Sequence, residues 1–221
     1  MNDQEWEMTL MRTMRKLLAI VLALFCLVSA AAEKTGGEAE NLLVFVGQKI
    51  SLVKQVDAPC DNCIILDEHY LATYQIVDTV YGNYRGQDIS FDVYDHYGTP
   101  AFSKYETVLL FVSRQPDGSW VHEKYQFNDL HQGVDEQWYG CGDPYGTSPN
   151  PPRTVKARPV KFPAPVSYPL EGMSVEQIKR YYPAGYFKIR GGRAWCLKGA
   201  PVQDLFEAKK QTVLQARGIF K

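Results

Sequence analysis

Between Leu42 and Phe127 apolar and polar residues alternate with a period of two or gather into short buried runs, the pattern of strands rather than helices. Leu42 to Val46 is unbroken apolar sequence, Gly47 interrupts it, and Ile50-Ser51-Leu52-Val53 resumes it. A glycine at that point predicts a bulge or bend within one long strand. A second strand fits Leu71 to Tyr81, and a third fits Asp88 to Tyr94, with Ile89, Phe91 and Val93 facing one way and Ser90, Asp92 and Tyr94 the other. Gly82 to Gln87 supplies the glycines for the reversal between them. Thr107 to Ser113 reads as a strand buried on both faces, with Trp120 to Phe127 as its partner. Gln115-Pro116-Asp117-Gly118 predicts the hairpin turn that joins them, since proline presets φ and glycine accepts positive φ.

The remainder changes character. Eight prolines fall between Pro144 and Pro169, which excludes helix and central strand and predicts an extended strap. Ser174-Val175-Glu176-Gln177 matches a capping box that opens a short helix stopped by Pro183. Pro201 to Arg217 predicts an amphipathic helix with Val202, Leu205, Phe206 and Val213 on its apolar side and Gly218 as its end. The expected architecture is mainly β (α+β overall): a small five-stranded OB-like barrel over 41–130, a Pro-rich strap over 131–172, and a C-terminal helical segment over 173–221 packed on the barrel.

The first residues change how the cysteines are read. Arg12, Arg15 and Lys16 precede an apolar run from Leu17 to Val28, and small residues follow through Ala32. Charge, apolar core and small cleavage site are the order of a signal peptide over 1–32, cut before Glu33 or after Ala30. The run is near a dozen residues, against roughly twenty for a spanning helix, so no membrane span is expected after cleavage. Bulky Phe25 before Cys26 argues against lipidation, and Met11 or Met14 would give a cleaner basic start. The expected location is periplasmic or secreted. A mature chain of about 185 to 190 residues then suffices for one domain with its own core.

Export leaves Cys60, Cys63, Cys141 and Cys196, an even number in an oxidising compartment. Three pairings are open; the expected bonds are Cys60 with Cys63 as a local loop, and Cys141 with Cys196 tying the strap to the C-terminal segment. Cys60-Asp61-Asn62-Cys63 also has the spacing of thiol-disulfide oxidoreductases. Pro59 before it, Ile64-Ile65-Leu66 after it and the lack of α/β alternation favour a structural bond, and Asp61 would raise a thiol pKa. A zinc site from Cys60, Cys63 and His69 lacks a completing ligand pair, so no metal and no cofactor is expected.

The strands carry a resemblance. "FVGQKISL", "YQIVDTVYGNYRGQDISFDVYDHYG" and "ETVLLFVS" together resemble the netrin/TIMP-like branch of OB-fold barrels, over about Asn41 to Phe127. Metalloprotease inhibitors of that family chelate zinc through an amino-terminal cysteine. The first mature cysteine in this chain is Cys60, so the resemblance implies the barrel without that mechanism.

Formal net charge is -1, and removing residues 1–32 takes as many acids as bases, so no general field attracts nucleic acid or anionic membrane. Tyrosine is abundant, at 14 residues, and rings with polar tips suit recognition surfaces. Tyr84, Tyr94 and Tyr97 on barrel loops are the expected contact residues for a protein or small ligand. Two other functions stay open: a periplasmic enzyme, by thiol redox at Cys60 and Cys63 or as a hydrolase using His96, and a structural envelope component. Asp95-His96 and His122-Glu123 are strand neighbours that point to opposite faces, so no catalytic set is read from them.

Overall fold

The computed structural model describes residues 38–56 and 64–221. The expected signal peptide over 1–32, and Cys60 and Cys63 with their expected bond, lie outside the described residues. The chain is mainly β, built on a closed five-stranded barrel in the order β1-β2-β3-β5-β4. Its strands are β1 (Leu42–Lys54), β2 (Glu68–Tyr81), β3 (Asp88–Asp95), β4 (Thr107–Arg114) and β5 (Trp120–Asp129). All neighbours run antiparallel except β3 and β5, which are parallel and meet at Asp92 and Val121. The expected OB-like barrel is therefore present.

The unbroken apolar runs of β1 and β4 have one cause. Each run is covered on both sides, so neither of its faces can be polar. Leu43, Phe45, Val108, Leu110 and Val112 point into the barrel with Tyr74, Phe91 and Phe102. Leu42, Val44, Val46, Leu109 and Phe111 point outward, where Leu205, Phe206 and Leu214 cover them. β3, covered on one side only, alternates as expected, with Ile89, Phe91 and Val93 buried and Ser90 and Tyr94 exposed. Gly47 lies at a register shift of β1 against β2. A Cβ on it would stand 2.8 Å from the Phe45 ring and 3.1 Å from the Tyr74 ring, so the bend is available only to glycine.

Outside the barrel, β6 (His131–Gln132), β7 (Trp138–Cys141), β8 (Arg158–Pro159) and β12 (Lys198–Pro201) form a sheet in the order β6-β7-β12-β8. A second sheet takes β9 (Ser167–Pro169), β10 (Phe187–Arg190) and β11 (Arg193–Cys196) in the order β10-β11-β9. The strap over 131–172 supplies β6, β7, β8 and β9, and its prolines enter strands only at Pro159 of β8 and Pro169 of β9, both edge strands, where a missing amide is tolerated. The disulfide between Cys141 and Cys196 joins the ends of β7 and β11, with Cα atoms 5.9 Å apart.

The capping box is formed: Ser174 Oγ accepts from the Gln177 amide and Gln177 Oε1 from the Ser174 amide, opening α1 (Val175–Tyr181). The longer helix departs from expectation. It is α-helical over α2 (Val202–Lys209) and then widens into a π turn at Lys210–Leu214. The C-terminal segment also holds three strands that its helical reading omits.

Candidate functional site

Three segments meet at the end of the barrel where β2 begins and β3 ends. The first is Ile64 to Asp67, the second the turn Asp95 to Gly98, and the third a bulge in β5. That bulge follows from register: Leu110 pairs with Phe127 and Val112 with His122, so the single residue Phe111 faces Glu123 to Gln126. The excess bends β5 outward at Lys124 and Tyr125. Buried His122 closes the loop by donating from Nε2 to the Gln126 carbonyl at 2.9 Å.

The segments are stitched by polar contacts. His96 Nδ1 donates to the Leu66 carbonyl at 2.7 Å, and Lys124 Nζ donates to Asp67 Oδ2 at 2.6 Å. Asp67 in turn raises the Lys124 ammonium pKa, chiefly through that hydrogen bond. Asp95 is buried and its Oδ1 accepts from the Tyr97 amide at 2.8 Å, which points Tyr97 outward. Next along β2, His69 Nε2 lies 2.8 Å from Asp92 Oδ1 and its ring stacks on Tyr94 at 4.6 Å. Each cation at this end therefore already faces a carboxylate.

Apolar area is what the face leaves to solvent. Tyr97 is 85% exposed and Tyr125 44%, with their rings 5.9 Å apart. Ile64, Ile65 and Leu66 are 85%, 62% and 68% exposed. Tyr125 is held at φ 66°, a left-handed conformation that costs a non-glycine residue about 1–2 kcal/mol. A bulky ring kept there while exposed is not explained by core packing.

Of the residues expected from sequence, Tyr94 and Tyr97 belong to this end. Tyr84 does not: it sits in the β2–β3 loop at the opposite end, half-buried, its ring 5.9 Å from Trp120 and its hydroxyl donating to the Asp88 carbonyl. His96 is present, but among the described residues no Ser, Thr or Cys is hydrogen-bonded to its ring, so no nucleophile accompanies it. Asp95 and His96 point apart, as do His122 and Glu123, the latter accepting from Ser113 and Arg217. Among the described residues no group of three or more His, Cys, Asp or Glu side chains could hold a metal ion.

Sequence reading passed over Tyr125, whose role depends on the bulge. It also passed over a cluster in which Tyr168 Oη donates to Asp129 Oδ2 at 2.5 Å and His131 Nε2 lies 3.2 Å from the same oxygen. Burial, then the Asp129 charge, pushes the Tyr168 phenol strongly upward, and burial lifts Tyr105 beside it to about 12. Both hold their protons, so the cluster pins the strap to the barrel. The i, i+2 spacing of Asp129 and His131 was the available signal. No described helix is long and apolar enough to cross a membrane. Comparison with models of known families, with curated proteins and with solved structures finds no match for this chain.

Proposed function

We propose that the protein is an exported binding module that holds a protein partner on the barrel end formed by Ile64 to Leu66, Tyr97 and Tyr125, with Tyr94 beside them. The single observation that carries this reading is the exposed pairing of Tyr97 with Tyr125 next to three exposed aliphatic residues. Large apolar area concentrated in one place on a surface marks an interaction site, and tyrosine gives broad contact at low entropy cost.

The charges favour a protein over other partners. Lys124 pairs with Asp67, Lys54 with Glu68 and His69 with Asp92, so the described residues of this face present no uncompensated positive strip to a nucleic acid or an anionic lipid. Ile64, Ile65 and Leu66 offer aliphatic area that a sugar ring would not use, whereas an apolar side chain of a partner protein would. The disulfide at Cys141 and Cys196 fits an oxidising compartment. The netrin/TIMP-like resemblance is in keeping with such a use of barrel loops.

Tyr97→Ala, Tyr125→Ala and Ile65→Asp test the proposal. Each should weaken retention of the partner by about tenfold or more, the usual effect of losing a central anchor, while the thermal midpoint stays put. Unchanged retention in all three contradicts the reading, and so does a large fall in the midpoint, which would make these rings part of the core.

A further inference from the structure

A second candidate site lies on the outer side of the barrel, behind the β5 bulge, where Gln126 next to Tyr125 turns its side chain to a cleft. The strap from Asp143 to Pro152, the outer face of β5 and the π turn after α2 enclose a cleft of about 620 Å³, within the range of small-molecule sites. Two features of its wall are incomplete. Lys209 Nζ donates to Gln126 Oε1 at 3.0 Å and lies 5.6 Å over the Phe111 ring. Among the described residues no carboxylate lies within 4 Å of it. Burial, then the Arg217 charge, lowers this amine to about 8, so a bound anion would relieve a cation held without one.

The second feature is an acceptor without a donor. Asn128 Oδ1 is buried and has no hydrogen-bond partner, an arrangement that costs about 1–3 kcal/mol when left unmade. Gln126 and Asn128 are two residues apart on β5, about 7 Å along the backbone, and both line the cleft, so the lysine's anchor and the orphan acceptor come from one side of the strand. The acids nearby are engaged elsewhere. Asp143 accepts from Arg153, Tyr186 and the Tyr145 amide, and Glu207 accepts from Gln211.

The backbone is also irregular around the cleft. The π turn Lys210–Leu214 brings Gln211, Thr212 and Val213 onto its wall, and such turns occur often at functional sites. Asn150 on the opposite rim has φ 48°.

We propose that this cleft binds a small carboxylate that carries a hydroxyl or amino donor beside the acid group, with Lys209 taking the carboxylate and Asn128 Oδ1 the donor. The ligand class is the complement of what the wall lacks, one anion and one donor.

Titration of the full chain with three acids of equal carbon count tests this, with the side-chain amide NMR signals of Gln126 and Asn128 as the readout. L-serine and D-glycerate carry the donor and propionate does not. At least one of the first two should bind about tenfold more tightly than propionate. Lys209→Met should cut that affinity by about tenfold without lowering the thermal midpoint, and Asn128→Leu should erase the preference over propionate. Lys209→Gln, which keeps a donor for Gln126, replaces Lys209→Met if that variant does not fold. Equal affinity for the three acids, binding that survives loss of Lys209, or no movement of either amide signal overturns the proposal.

Discussion

His122 ties the stability of the fold to pH through one buried side chain. Its ring lies between Phe102 and Phe91, at 4.8 and 6.2 Å, and burial lowers the imidazole to about 4. An unfolded chain binds that proton near pH 6.5. The contribution is therefore complete above about pH 6.5 and is lost as the pH falls toward 4, a change on the order of 3 kcal/mol. Urea unfolding at pH 7 and pH 4 should show that loss in the wild type and a much flatter response in His122→Gln; identical profiles would exclude His122 as the cause. Tyr74 makes a converse case, because its ring fills the barrel while its buried hydroxyl has no partner. Tyr74→Phe should hold or raise stability by about 1 kcal/mol, read as the urea midpoint, and a loss would mean that the hydroxyl is bonded. Tyr125 belongs to the third kind, a residue kept against its local preference. Asn tolerates left-handed backbone better than a bulky aromatic, so Tyr125→Asn should leave stability unchanged or up to about 1 kcal/mol higher while partner retention falls.

Elements decide which part of the chemistry a sequence can display. β1, β3 and β4 were readable because their burial pattern is local: two covered faces give continuous apolar runs and one gives alternation. The hairpin from β10 to β11 carried a readable signal too, Gly191-Gly192 at φ 59° and 67°, since two consecutive positive φ values suit a two-residue turn. The site was less legible. Tyr97 could be placed on an exposed turn from sequence, but Tyr125 reached it only through a three-residue excess in β5, which no periodicity displays. Lys209 looked like an ordinary helix cation, and its surroundings come from a strap some sixty residues earlier and a widened helical turn. α2 is the element that closes the outer core. Leu205 is 2% exposed against β1 and β4, and its Cδ1 would meet a Cβ on Gly140 at 2.8 Å. Leu205→Ala should destabilise the protein by about 2–5 kcal/mol, measured by chemical denaturation. A cost below 1 kcal/mol, the scale of a surface change, would show that the helix is only loosely docked.

Across the whole molecule, a closed barrel supplies rigidity and an irregular strap is fastened to it. The Cys141–Cys196 bond spans a sequence separation of 55 residues, so reduction or Cys141→Ser with Cys196→Ser should remove about 4 kcal/mol by the loop-entropy argument. The same bond connects the fold to its proposed compartment, because it forms where thiols are oxidised. The most direct test of the binding role is site-specific photo-cross-linking in cells, with the probe at position 97 and, as control, at Ile189, an exposed residue of β10. A discrete protein adduct from position 97 that disappears with Ile65→Asp and is absent from position 189 is the predicted result. The same adducts from both positions, or an adduct from 97 indifferent to Ile65→Asp, would contradict a partner seated on this face.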